Sequence, residues 1–213
     1  MRELYVATIG AAHALDDEAL SRSLTATLAA KPKGAGWWVF GYGSLLWNPL
    51  FPIAEARPAT LHGLHRRFCL RSLASRGTRE RPGLVLGLER GGACRGVAFR
   101  LPSALALDEL HLLWRREMVV GSYRPVWVRV RAGECALTAL AFAVRRDHPQ
   151  YAALSMDEQA DTIAHACGAF GSSCEYLTKT RSALAGHGIV DAYLEAIAGK
   201  VAALRNARSG PRA

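Results

Sequence analysis

Trp37-Trp38-Val39-Phe40-Gly41-Tyr42-Gly43-Ser44-Leu45-Leu46-Trp47-Asn48-Pro49 begins as a buried strand and stops being one within a few residues. The apolar run is aromatic and β-branched, which suits a strand covered on both faces. Gly41 and Gly43 then bracket a tyrosine. They let the backbone take φ > 0 or approach another group closely. Pro49 and Pro52 remove donors, so Asn48–Pro52 is a loop. The stretch is a strand feeding a turn with exposed N–H groups.

Downstream, strands are expected over Thr60–Ser72, Leu84–Glu89, Cys94–Leu101, Arg124–Val130 and Ala136–Val144. Gly91-Gly92, between apolar runs, signals a hairpin. In Arg124–Val130 the residues Val126, Val128 and Val130 face one way, Trp127 and Arg129 the other. Leu105–Met118 reads as a helix. From Ser155 onward the pattern is helical, broken at Gly168–Gly171, with Ser172 or Ser173 able to cap the next helix. The last helix runs from about Val190 to Leu204. Strands first, one interrupting helix, and helices last argue for an α+β fold with a largely antiparallel, barrel-like sheet. Residues 1–36 form an N-terminal extension in which Asp16 or Asp17 caps a helix reaching about Ala30. Residues 37–204 make a single domain, and 205–213 a flexible basic tail.

The composition excludes several classes. Of 213 residues, 50% are hydrophobic and 21% charged, ordinary for a globular chain. No apolar run approaches the roughly 18–20 residues that span a bilayer, so no membrane is expected. Leu4–Leu15 is apolar in places and Ala12-His13-Ala14 imitates a signal-peptidase site. Glu3, where a positive residue should stand, and Asp16-Asp17-Glu18 argue against export, and the expected location is cytoplasmic. The cysteines, 5 in number, contain no Cys-x-x-Cys pair and read as reduced, mostly buried thiols. The histidines show no metal spacing. The net charge of +9 comes from dispersed arginines without a basic helix, which fits a small anionic substrate better than nucleic acid.

One carboxylate stands out. On a helix advancing about 100° per residue, Leu107, Leu110, Leu113, Trp114 and Met118 form an apolar stripe. Asp108, Glu109, Arg115 and Arg116 fall opposite. Glu117 lies inside the stripe, where burial raises a carboxyl toward the range of a general acid or base. The alternative is that Glu117 sits at the helix end and pairs with Arg116 or Arg124. Gly121 then turns the chain and delivers Tyr123.

The glycine turn itself is no nucleotide fingerprint: Leu46 stands where a third glycine belongs, and no phosphate-binding Gly-x-x-x-x-Gly-Lys-Ser/Thr occurs. Ser44 is not in a nucleophile elbow. A bank of N–H donors for a carboxylate or oxyanion is one reading of the turn, a tight strand-end turn the other.

Val39–Leu45 with Trp47-Asn48-Pro49 resembles the signature of the ChaC-like γ-glutamylcyclotransferases. The likeness continues at Arg66–Cys69 with Ser72, Arg76-Gly77-Thr78, Pro82-Gly83, Gly96–Arg100, Arg116-Glu117 with Gly121 and Tyr123, and Gly171 with Glu175-Tyr176-Leu177. The resemblance implies a small mixed barrel with flanking helices and an enzyme releasing 5-oxoproline and cysteinylglycine from glutathione, without metal or organic cofactor. It puts the catalytic glutamate at Glu117 and substrate binding at Val39, Phe40, Gly41, Tyr42, Gly43, Ser44, Leu45, Tyr123 and Tyr176. The chain departs from the family pattern at Ala74-Ser75, Leu84 and Ala169–Ser173, positions expected to touch the substrate beyond its γ-glutamyl group. A cyclotransferase for other γ-glutamyl amides, and a non-catalytic regulatory module on the same fold, are the alternatives.

Overall fold

Five strands close into a barrel: β1 (Trp38–Gly41), β2 (Glu55–Ser72), β3 (Gly83–Arg100), β4 (Tyr123–Ala132) and β5 (Cys135–Val144). They are hydrogen-bonded in the order β1-β3-β2-β4-β5, and β3 also meets β5. Neighbours are antiparallel except where β5 touches β1, at Val39 and Leu140, and β3, at Leu88 and Ala143. The sheet is therefore mixed and largely antiparallel, and the fold α+β. The computed structural model describes residue 7 and residues 14–208. Most of Leu4–Leu15, with its signal-like features, lies outside these, as do residues 209–213.

Five helices flank the barrel among the described residues: α1 (Asp17–Ala29), α2 (Ala106–Glu117), α3 (Met156–His165), α4 (Ser173–Gly186) and α5 (Ala192–Arg208). Three of the starts are capped by side chains the sequence supplies. Asp16 caps α1 by accepting from the Ala19 N–H, Ser155 and Glu158 form a capping box on α3, and Ser172 caps α4 through the Glu175 N–H. The indole of Trp127 on β4 donates to the Thr27 carbonyl (2.8 Å), and that of Trp114 on α2 reaches Ser23 Oγ (3.3 Å). These bonds lay α1 across β4 and α2. Phe40, Phe68, Leu86, Leu88, Val97 and Phe142 are buried in the core, each side chain contributing about 1.5–3 kcal/mol of transfer free energy.

Several expectations need correction. Gly91-Gly92 does not turn a hairpin: β2 and β3 stay paired from Glu55↔Arg100 to Ser72↔Gly83. Both glycines have positive φ, as does Gly63 opposite, and the register shifts between His62 and Leu64. The glycines make a bulge in one long strand. β2 starts at Glu55 rather than Thr60, running through Pro58, because β4 pairs with it only at Thr60 and Leu61. Pro58 thus meets no second ladder. Leu107 is 52% exposed and so not part of the apolar stripe of α2. Only Cys69 and Cys94 are buried; Cys135 and Cys167 are exposed. The final helix continues to Arg208, so 205–208 are helical. Two-residue strands β6 (Cys167–Gly168) and β7 (Gly171–Ser172) fill the break before α4.

Candidate active site

β1 ends at Gly41, and the chain passes through Tyr42 and Gly43 into a 3-10 turn at Ser44–Leu46. Neither glycine needs positive φ. Both are required by close approach instead: a Cβ at Gly41 would stand 2.6 Å from the Phe99 ring, and one at Gly43 2.7 Å from the Tyr176 hydroxyl. Val39 and Phe40 are wholly buried in the barrel and line neither the cleft nor the recess described below. They position the turn from beneath. The first N–H groups of the turn have no acceptor within it, and that of Ser44 meets the Tyr176 hydroxyl.

Helix α2 delivers Glu117 to this turn. Tyr42, Gly43, Ser44, Leu45, Leu86, Glu117, Tyr123, Phe142 and Tyr176 surround a small recess of about 10 Å³. Ser44, Glu117, Tyr123 and Tyr176 also belong to the wall of a larger cleft of about 340 Å³. Gly121, at φ 68°, makes the turn after α2 that brings Tyr123 in. The carboxylate and the glycine turn therefore share one chamber.

Glu117 combines both readings of its helical position. Its side chain is only 12% exposed, yet it lies at the helix end with Arg116 Nε 3.1 Å from Oε1. That contact is not aligned as a hydrogen bond, and Oε1 accepts none among the described residues. Burial pushes the carboxyl above its ordinary value, with the Arg116 charge opposing. Three phenols face it. Tyr42 donates to the Phe142 carbonyl (2.8 Å) and Tyr123 to the Leu86 carbonyl (3.1 Å). Tyr176 packs edge-on against Trp47 and Phe68. Burial, with Glu117 adding to it, raises all three phenols. They stay neutral while Glu117 titrates.

Sequence reasoning offers Arg116 only as an alternative partner for Glu117, puts it by the helical wheel on the outer face of α2, and misses its link to the glycine turn. Its side chain is 11% exposed: Nη2 donates to Ser44 Oγ at 2.9 Å, and Nη1 to the Asn48 carbonyl. A long side chain in the last helical turn can reach round the helix, which a helical wheel does not capture. Ser44 Oγ is held by this guanidinium, and among the described residues no histidine or aspartate lines the cleft or the recess.

The outer wall is basic and aromatic. The Arg76 guanidinium lies 5.5 Å from the Trp47 ring centre and 5.8 Å from that of Tyr176, with Glu175 Oε2 at 3.4 Å. Arg71, Lys179, Gln150 and Phe170 complete the cleft mouth. Arg76 sits on the loop joining β2 to β3, which is held by close backbone contacts and by the Ser72 and Ser173 hydroxyls. A Cβ on Gly77 would strike the Gly83 nitrogen, one on Gly83 the Arg76 carbonyl, and one on Gly168 the Gly77 nitrogen at 2.6 Å. The N–H groups of Ala169 and Phe170 bond the carbonyls of Ala74 and Ser75. Of the positions departing from the family pattern, Ser75 and Phe170 line the cleft, whereas Ala74 and Leu84 are buried and do not. Ser173 is buried too, its Oγ accepting from the Leu84 N–H and donating to the Arg76 carbonyl. Among the described residues no group of three His, Cys, Asp or Glu side chains could hold a metal ion.

A barrel presenting a buried carboxylate to a glycine turn defines a class, and comparison places the chain within it. The model of the ChaC-like protein family matches residues 37–204. The chain belongs to the ChaC-like family. It is 41% identical over 176 residues to the glutathione-specific γ-glutamylcyclotransferase of Escherichia coli (strain K12), covering 82% of this chain and 76% of that protein. It is 34% identical over 175 residues to glutathione-specific γ-glutamylcyclotransferase 1 of Mus musculus, covering 78% of each. Among solved structures, a selenomethionine-labelled γ-glutamyl cyclotransferase specific to glutathione from yeast superposes with a TM-score of 0.75. It shares 26% identity and covers 82% of this chain and 99% of that one.

Proposed function

We propose that this chain is a glutathione-specific γ-glutamylcyclotransferase with Glu117 as its proton shuttle. The observation that carries the assignment of roles is the single chamber shared by Glu117 and the Tyr42–Leu45 turn. The activity itself is that of the family members with 41% and 34% identity.

In the reaction the substrate's α-amine nitrogen attacks its own γ-carbonyl carbon. A lactam C–N bond forms, the amide bond to cysteine breaks, and 5-oxoproline and cysteinylglycine leave. Nucleophile and electrophile belong to one molecule, so the enzyme's first task is to hold the folded-back conformer. The attacking nitrogen must lose protons and the leaving nitrogen must gain them. A buried carboxylate near the reacting atoms accepts and returns them in turn. Backbone N–H groups at the start of the 3-10 turn are suited to the developing oxyanion or the γ-glutamyl carboxylate. Arg71, Arg76 and Lys179 give the cleft mouth a positive field, which suits a tripeptide bearing two carboxylates. Ser75 and Phe170 lie where discrimination beyond the γ-glutamyl group would act.

A cytoplasmic location belongs to the same proposal. No helix among the described residues is long and apolar enough to cross a membrane, and the cysteines are free thiols, as in a reducing compartment.

The test is product analysis with glutathione as sole substrate, in parallel with γ-glutamyl dipeptides. Equimolar 5-oxoproline and cysteinylglycine are expected. Turnover of the dipeptides alone would overturn the specificity, and no product at high enzyme concentration the activity.

A further inference from the structure

The least expected feature of the chamber is how one guanidinium is spent. Arg116 directs its three nitrogens to three partners on two elements. Nη2 donates to Ser44 Oγ at the first residue of the 3-10 turn, and Nη1 to the Asn48 carbonyl just past its end. Nε faces Glu117 Oε1 at 3.1 Å. The turn and the carboxylate come from different parts of the chain, 72 residues apart in sequence for Ser44 and Arg116. The planar fork fixes two hydrogen-bond directions while holding its charge against the carboxylate, which a lysine ammonium on its flexible stem cannot do.

We propose that Arg116 is the positioning residue of this site, locking the substrate-holding turn to Glu117 at a fixed distance and keeping Glu117 ready to accept a proton. The inference rests on the cyclotransferase reading above. Two consequences separate it from a merely structural role. The first is geometric: without the fork, the turn and the carboxylate lose their common reference, so chemistry suffers more than binding. The second is electrostatic. The groups facing Glu117 are the phenols of Tyr42 from β1's end, Tyr123 from β4 and Tyr176 from α4, all held in the neutral form by burial. Arg116 is the charge acting on the carboxyl, and it opposes the effect of burial. Removing that charge leaves burial unopposed, and Glu117 then holds its proton to higher pH.

Charge and fork are separable by substitution. Arg116→Lys keeps the charge and loses the fork; Arg116→Met loses both and keeps most of the stem. Turnover of glutathione is measured against pH for the wild type and both variants. In parallel, the Glu117 carboxyl is titrated by carbon-13 NMR, its signal assigned by its loss in Glu117→Gln. For Arg116→Met, kcat is expected to fall about 100-fold, the effect of misplacing reacting groups, and the acid limb of kcat/KM to move to higher pH with the NMR titration. For Arg116→Lys, kcat is expected to fall about tenfold, the partial loss reflecting a misplaced turn, while limb and titration stay in place. An unshifted carboxyl titration in Arg116→Met overturns the proposal. So does a rise in KM with unchanged kcat in Arg116→Lys, which would make Arg116 a substrate anchor. If Arg116→Met does not fold, the kcat–KM split in Arg116→Lys decides. Absence of 5-oxoproline from the wild type would instead overturn the reading of the reaction, while the NMR titration still decides the electrostatic role of Arg116.

Discussion

The hydroxyl of Tyr176 occupies the space that a side chain at Gly43 would need, since a Cβ there would stand 2.7 Å from the phenolic oxygen. The ring carrying that hydroxyl is wedged between Trp47 and Phe68 and cannot swing away. Gly43→Ala is therefore expected to lower stability by about 1–3 kcal/mol, the range for overpacking a core, and to lower turnover by displacing the turn. In a Tyr176→Phe background the clash is relieved, so the alanine should do less harm there. Urea denaturation of the four proteins in the cycle checks this, and strict additivity would show that the two groups do not meet.

Glu117→Gln should fold and lose 5-oxoproline release by about 10²–10⁴-fold, the usual contribution of a positioned acid–base group. Turnover within tenfold of the wild type would remove Glu117 from the mechanism.

The same variant makes a stability prediction with a definite sign. An unfolded glutamate ionises at pH ~4.3, while burial raises Glu117 in the native state. The stability tied to its neutral form is fully present below the unfolded value and is lost as pH rises through the native one. Glutamine carries no such dependence. The melting temperature of Glu117→Gln relative to the wild type should therefore rise between acidic and neutral pH. A constant difference across that window contradicts the raised carboxyl.

Arg66 is a second buried cation outside the cleft. Its side chain is 1% exposed and its Nε lies 3.1 Å from Asp191 Oδ2, while Oδ1 of the same aspartate caps α5 at Leu194. Asp191→Asn keeps a capping oxygen but leaves the guanidinium uncompensated, which should cost about 3–5 kcal/mol. Glu195→Gln, breaking the exposed pair with Arg181, should cost less than about 1 kcal/mol. Chemical denaturation distinguishes the two, and equal effects would mean the buried pair is unimportant.

Thiol labelling of the native protein should find Cys135 and Cys167 first and Cys174 more slowly. Cys69 and Cys94 should react only after unfolding, because burial pushes them up to about 12 and about 11. Rapid labelling of all cysteines without denaturant would contradict this packing.

The strand running into the glycine turn was legible because an aromatic, β-branched run ended at two glycines. Glu117 was legible because a carboxylate interrupts an apolar periodicity. Arg116 was not, since a helical wheel records where a side chain leaves the axis and not how far it reaches. Gly91-Gly92 misled because positive φ serves a bulge as well as a reverse turn, and the choice depends on Gly63, a partner distant in sequence. The glycines of the opening turn carried the right signal for only one of its two causes: close approach to Phe99 and Tyr176, not backbone conformation.

The interlock of Gly77, Gly83 and Gly168 divides the chamber into two kinds of material. On one side, Glu117, Arg116 and the Ser44–Leu46 turn are tied by side chains, so each depends on the identity of the others. On the other, the wall bearing Ser75 and Phe170 takes its shape from main chain laid on main chain, pinned by the buried hydroxyls of Ser72 and Ser173. Phe170 joins that scaffold through its main chain, whereas Ser75 Oγ also meets Ser72 Oγ at 2.8 Å. Substrate preference can therefore drift most readily at Phe170, while the reactive half stays frozen. Three residues without side chains thus let one end of the site evolve independently of the other.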